Sequence, residues 1–193
     1  MKRLTTQRGE PMKHTSTINM NPTIQDLMTR RSVRAYTQEM PSKEDINTIC
    51  QAGLYAATGM GTQSPIILAV TNKTLRDRMS RLNAQVMGTD TDPFYGAPVV
   101  LVVLVDIDTA LTPVEDGSLM MGNMLNAAHA LGLASCWINR AREVFESDEG
   151  KSILKELGIE GNYLGVGNCV VGYAAVPQPQ PRPRKENRIH WVE

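Results

Sequence analysis

The sequence predicts an α+β fold. Segments with apolar residues at three- and four-residue intervals stand beside short β-branched runs. The two kinds follow one another without the strict alternation of a doubly wound sheet, and no segment repeats. A chain of 193 residues suits one domain with or without tails, and 41% hydrophobic residues are enough for a core and too many for a disordered chain.

Residues 1–20 carry Lys2, Arg3, Arg8 and Lys13 against Glu10 with no periodic apolar face, so a flexible tail is expected. The domain is expected over residues 21–176. Asn21-Pro22 opens the first helix, because Asn caps well and Pro is pre-set for the first helical position. Ile24, Leu27 and Met28 mark its apolar face. Ser42-Lys43-Glu44-Asp45 resembles a capping box, with Asp a weaker partner than Glu, and Ile46, Ile49, Cys50, Leu54 and Ala57 follow at helical spacing.

Ile66 to Val70 reads as a strand, and Leu75, Met79, Leu82 and Val86 as the face of a third helix. Pro98 to Val105 is a β-branched run, expected to be a strand buried on both faces. Residues 116–131 are apolar most of the way round a helix, which places it centrally or at an interface, with Gly132 as its C-terminal cap. Leu133 to Ile138 reads as a strand, residues 148–157 as a short helix closed by Gly158, and Tyr163 to Ala174 as a last strand. A Pro-rich arm, 177–193, follows. Such a segment stays extended, and its apolar end, Ile189-His190-Trp191-Val192, calls for something to dock on, the partner subunit being one candidate.

Several functions lack their residues. Twenty basic and twenty acidic side chains cancel, which gives no support for nucleic-acid binding. The longest apolar run, Ala97 to Val105, is too short for a membrane span, and no apolar stretch follows Met1-Lys2-Arg3 to make a secretory signal. Cys50, Cys136 and Cys169 are an odd, widely spaced set, which points to reduced thiols in a cytoplasmic protein. No G-x-G-x-x-G follows a strand, and no P-loop, G-x-S-x-G elbow or metal-ligand spacing occurs. His129, within the apolar helix, reads as a satisfied histidine of the core or of an interface.

Four segments carry chemistry. Arg30-Arg31-Ser32-Val33-Arg34 crowds like charges at the end of a helix, and guanidinium groups with a hydroxyl suit a phosphate. A solvated basic helix end would also suit the helix dipole, and this segment alone does not separate the two. The small residues and glycines of Ala56 to Pro65 let backbone approach a flat ligand, or make an ordinary helix-to-strand loop. Gly132 to Arg140 and Pro183-Arg184-Lys185 are each weak alone.

Together and in order, these segments resemble the FMN-dependent nitroreductase family, above all its short single-domain members. Gln63-Ser64-Pro65-Ile66-Ile67, Asp92-Pro93-Phe94-Tyr95-Gly96-Ala97-Pro98, Asp116-Gly117-Ser118 and Gly132 to Ile138 carry the likeness, which runs from about residue 22 to the C-terminus. The resemblance implies a mostly antiparallel central sheet flanked by helices, with the C-terminal arm exchanged in a homodimer. It implies FMN as cofactor, NADH or NADPH as transient donor, and a small electron-poor acceptor such as a nitroaromatic, quinone or enone, reduced by a ping-pong mechanism. Arg30 and Ser32 match the phosphate-binding positions, with Arg31 beside them. Arg34 matches the cation at the flavin N1–O2 edge. Trp137, Ile138 and Asn139 match the segment packed along the isoalloxazine near N5, and Arg184 and Lys185 the late basic pair on the phosphate. Asn83 is a further candidate to reach the flavin. Thr58, Gly61 and Gln63 match a loop supplied by the other subunit. Where this chain has Gly61, relatives commonly carry Asn, so one hydrogen bond to the flavin, worth roughly 0.5–1.5 kcal/mol, is missing. The flavin carries the chemistry, and no side chain is implied as acid or base. Three alternatives remain: a flavin-binding protein without turnover, a specialised member acting on one metabolite or on flavin itself, and a degenerate member of the fold that binds no flavin, against which the Arg30–Arg34 cluster and Arg184-Lys185 argue.

Overall fold

The structure is a computed structural model and describes residues 19–193. The expected tail, 1–20, lies almost wholly outside the described residues. The elements are α1 (Pro22–Thr29), α2 (Lys43–Leu54), a 3-10 turn (Gly59–Gly61), β1 (Pro65–Val70), α3 (Lys73–Met87), β2 (Val99–Asp106), α4 (Pro113–Ala130), β3 (Ala134–Ile138), α5 (Ala141–Glu146), α6 (Asp148–Glu156) and β4 (Tyr163–Gly172).

The strands form one antiparallel sheet in the order β1-β2-β4-β3. β2 lies inside it, and its residues from Val99 to Val105 have no exposure at all, as their unbroken run of Val and Leu requires. Alternate β2 side chains feed two cores. Val99, Leu101, Val103 and Val105 meet Ile46 and Ile49 of α2 and Met120, Met121 and Met124 of α4. Val100, Val102 and Leu104 meet Met79 of α3, Val144 and Phe145 of α5, and Ile153 and Leu154 of α6. The molecule is therefore helix, sheet, helix in three layers.

β4 carries a bulge. Val103 faces Gly167 and Leu104 faces Gly165, so Val166 is the extra residue. Beside it α5 runs against β4 with no room between: a Cβ on Gly165 would lie 2.3 Å from the Ala141 carbonyl oxygen.

Element identities follow the sequence closely, and the differences have local causes. α4 begins at Pro113, earlier than residue 116, because Pro113 takes the first helical position. α2 stops at Leu54, so Ala57 lies outside it. Ser42 caps α2 by accepting from the Asp45 N–H at 3.0 Å, but its hydroxyl donates to the Asp45 carboxylate, so the reciprocal bond of a capping box is replaced by a side-chain pair. Gly132, at φ +76°, follows α4 in the left-handed conformation expected of it. α5 was not anticipated: six residues are too few for a period to show, and the turn into it places Arg140 at φ +74°.

His129 links three segments. Thr29 already donates to the Gln25 carbonyl, so its oxygen takes the Nε2 proton of His129 at 2.9 Å, and Gln178 of the arm lies 3.4 Å from Nδ1. The arm otherwise stands off this chain, with Ile189, Trp191 and Val192 exposed by 75, 79 and 96%. All three cysteines are free thiols. Burial pushes the Cys50 and Cys169 thiols up, which disfavours the thiolate. Among the described residues no helix is long and apolar enough to cross a membrane.

Asp92 organises the turn before β2. It accepts from Arg76 at 2.6 Å, Ser80 at 2.5 Å and the backbone N–H groups of Phe94 and Gly96, while Arg76 also donates to the Ala97 carbonyl and lies over the Phe94 ring. Burial pushes its carboxyl up, but Arg76, Ser80 and the two amides outweigh this and hold it below the ordinary range. Its stabilisation is therefore complete above the unfolded value of about 4 and fades as pH falls through the lower folded one. Asp92→Ala should lower the unfolding free energy by about 2–3 kcal/mol at neutral pH and flatten the acid limb of stability. Denaturant titrations on both proteins from roughly pH 6 to pH 2 check this, and parallel acid limbs would contradict it. Gly165→Ala should cost at least about 2 kcal/mol, because backbone of α5 must move. A thermal midpoint equal to that of the wild type would refute the close approach.

Candidate functional site

The basic segment lies along the sheet edge. α1 ends when Arg30 turns to extended backbone, and the chain then runs beside β3: Ser32 bridges Ser135 in parallel, and the Val33 N–H donates to the Ser135 carbonyl at 3.1 Å. Tyr36 bridges Ala174 further on. This pairing pins Arg30 and Arg31, both half-buried, at the β3 edge. Arg31 donates from Nη1 to the carbonyls of Met28 and Arg30, closing the end of α1. Its Nε and the Nη1 of Arg30 are buried without any acceptor among the described residues. A buried cationic N–H left unpaired costs roughly 1–3 kcal/mol or more, and an anion would remove that cost. These two atoms make this edge the candidate site. Ser32 is half-buried beside them, and Arg34 is exposed.

β3 brings a second group to the same edge. Trp137 packs its indole across Gly167, where a Cβ would collide with Nε1, and that N–H is also buried without an acceptor among the described residues. Ile138 closes the strand opposite Asn168, and Asn139 follows. The carbonyls of Ile138 and Asn139 accept from the Asn168 amide at 3.2 and 3.4 Å, and the Asn139 carbonyl also from Asn83 at 2.8 Å. Asn83 is 1% exposed and its carbonyl oxygen takes Arg140 Nε at 3.0 Å, so both ends of its amide are engaged within the protein.

The remaining sequence-derived residues lie elsewhere in this chain. Thr58, Gly61 and Gln63 precede β1, on the opposite edge of the sheet. Their loop holds three left-handed residues, with φ of 54° at Met60, 70° at Gly61 and 52° at Gln63, and Thr62 among them is right-handed. Asp116 of α4 holds it. Its Oδ1 accepts from the Gly59 N–H and the Thr112 hydroxyl, each at 2.9 Å, and its Oδ2 is buried with no partner among the described residues. Arg184 and Lys185 stand on the exposed arm.

Asn168, Arg140 and Asp116 carry weight at these sites that residue patterns did not reveal. Only Asn168 had a usable signal, an amide inside the apolar run Val166 to Val171. Asp116 looked like any acid in the first turn of a helix.

The sequence pattern of the nitroreductase family matches residues 27–94 and 88–173. The chain belongs to the nitroreductase family. Among curated relatives, a protein of Archaeoglobus fulgidus provisionally named NADH dehydrogenase/NAD(P)H nitroreductase is 28% identical over 171 residues, 86% of this chain and 90% of that protein. An FMN reductase [NAD(P)H] of Bacillus subtilis is 26% identical over 139 residues, 64% of this chain and 56% of that one. Among solved structures, a Bacteroides fragilis nitroreductase with bound FMN superposes with TM-score 0.82 at 28% identity, covering 90% of this chain and all of that one. An FMN-bound nitroreductase of Desulfitobacterium hafniense gives 0.81 at 27%, with 91% of this chain and 100% of that one covered. The expected architecture, an antiparallel α+β sheet between helices, is thus that of the family.

Asp116→Ala should release the loop at Gly59 and cost about 1–2 kcal/mol. Limited proteolysis should then cut between residues 58 and 63 well before it does in the wild type, and an equally resistant loop would show that Asp116 is not its anchor.

Proposed function

We propose that this nitroreductase-family chain is an FMN-dependent oxidoreductase that takes reducing equivalents from NADH or NADPH and passes them to a small electron-poor acceptor. The observation that carries this is the pair of buried, unpaired guanidinium N–H groups on Arg30 and Arg31. A terminal phosphate satisfies both, and two solved relatives that match about nine-tenths of the chain hold FMN.

In this reading Arg30, Arg31 and Ser32 bind the phosphate, joined by Arg184 and Lys185 when the arm closes. FMN, when bound, supplies a two-electron carrier that accepts hydride and returns it. Arg34 stands as a fixed cation for the ring edge where negative charge gathers on reduction, and a pre-placed charge does this without reorganisation. Trp137, Ile138 and Asn139 give the ring a wall. Donor and acceptor take turns at the open face, which makes the kinetics ping-pong. Nitroaromatics, quinones and enones are the acceptor class. The three free thiols suit a reducing compartment, and the cytoplasm is the proposed location.

A homodimer completes the site. β1 and β3 are the outer strands of four, about 14 Å apart across the sheet, so the 58–63 loop and the Arg30 cluster of one chain flank different edges. A second copy supplies the missing loop. α1 buries none of its own residues in this chain, and Leu27, Met28 and Leu119 are about half exposed, a surface suited to such a partner.

The absorption spectrum of the purified protein, before and after NADH or NADPH without air, tests the function. A two-banded flavin spectrum that bleaches is expected. A spectrum that stays unbleached would leave a binder without turnover, and a colourless protein after incubation with FMN and desalting would remove the proposal. Arg30→Ala with Arg34→Ala should weaken FMN binding at least about a hundredfold, through loss of two charge-assisted contacts. Titration at unchanged affinity would dismiss the site. Gly61 is left-handed with no atom within 4 Å of a built Cβ, a conformation and space that Asn accepts. Gly61→Asn should tighten FMN roughly two- to tenfold; weaker binding would count against the loop's part in the site.

A further inference from the structure

Asn83 and Asn168 are among the few polar side chains in the interior, 1 and 2% exposed. They come from different elements, α3 and β4, and converge on two consecutive carbonyls at the end of β3. A trans peptide is planar, and its C=O and N–H point in opposite directions. Holding the Ile138 carbonyl therefore turns the Asn139 N–H the other way, and holding the Asn139 carbonyl does the same for the Arg140 N–H. Neither of these N–H groups meets an acceptor among the described residues, and Asn139 is exposed and Arg140 half-buried, so neither donor is sealed in the core. Arg140 is itself constrained: its backbone is left-handed, and its Nε is tied to the Asn83 carbonyl oxygen.

We infer that Asn83 and Asn168 are positioning residues, a two-amide clamp that fixes the Ile138 and Asn139 carbonyls and thereby presents the Asn139 and Arg140 N–H groups as a rigid pair of donors. The ligand chemistry this suits is an acceptor atom on the edge of a planar ring. The inference rests on the FMN reading for the identity of that ring. It changes the part given to Asn83, which is enclosed by protein and acts through Asn139 rather than on the flavin. The clamp adds no charge. It keeps the carbonyl oxygens away from the ring edge, where they would oppose the negative charge of reduction, and it keeps the N–H donors in place before the reaction begins.

The test compares wild type, Asn83→Ala, Asn168→Ala and Asn83→Asp, all as FMN-loaded protein, with Met79→Ala as a control. Met79 is buried on the same helix, α3, one turn before Asn83, and its thioether has no N–H or O–H to donate to either carbonyl. In the ¹⁵N-labelled wild type, addition of FMN should shift the Asn139 and Arg140 amide resonances. In each clamp variant the FMN dissociation constant should change by less than about threefold, because the phosphate contacts remain, while bound flavin is reduced by saturating NADH about tenfold more slowly and its midpoint potential falls. Asn83→Asp keeps the acceptor for Arg140 but not the donor to Asn139, so it should not rescue. Met79→Ala should lose stability and keep the wild-type potential. Clamp variants with wild-type potential, Asn139 and Arg140 resonances unmoved by FMN, or the same fall in Met79→Ala would overturn the positioning role while leaving the flavoprotein reading intact. A wild type that retains no FMN would overturn both.

Discussion

The β2–β4 ladder is the constraint on which the rest of this protein depends. β2 is sealed on both faces, so its register against β4 cannot slip by one residue without exchanging the contents of the two cores. β4 in turn registers β3, and β3 pairs with Ser32 through Ser135. The arginines that close α1 thus owe their place to a ladder two strands away. The bulge at Val166 falls within this chain of dependence, letting Gly167 lie under Trp137 while Gly165 admits the backbone of α5.

What that ladder holds in place is a set of polar atoms the fold does not satisfy by itself. Arg30 Nη1, Arg31 Nε and Trp137 Nε1 are all buried without a partner among the described residues, and all lie on the segment 30–36 or its neighbour β3. Elsewhere polar groups are heavily paired: Asp92 collects donors from two side chains and two amides, and Arg78 binds Glu149 and Glu156 together. Apart from Asp116 Oδ2 beside the 58–63 loop, the buried side-chain polar atoms left unpaired among the described residues gather at this one edge, and the proposed phosphate draws on the cationic ones.

The loop at 58–63 carries strain of a different kind. Left-handed backbone at Met60 and Gln63 is unfavourable for residues with a side chain, and it persists because Asp116 and Thr58 pin the loop at both ends. A loop of this sort at one edge, a basic cluster at the other and an uncovered α1 are three incomplete surfaces. The proposed homodimer would complete all three at once.

The sequence by itself determined the elements and the chemistry available to them. Apolar periods located α1 to α4 and the four strands, because burial demands those periods whatever the topology. Residues 30–34 declared a concentrated positive charge, because no acid lies within the cluster. The short helix α5 was invisible, since six residues carry no period, and so were the hydrogen-bond partners of Asn83, Asn168, Arg140 and Asp116. Only the tertiary structure decided these, for one physical reason. A hydrogen bond between Asn83 and Asn139 joins positions 56 residues apart, and that between Gly59 and Asp116 joins positions 57 apart. Such partners acquire meaning only when the sheet has closed and water has been excluded from between them.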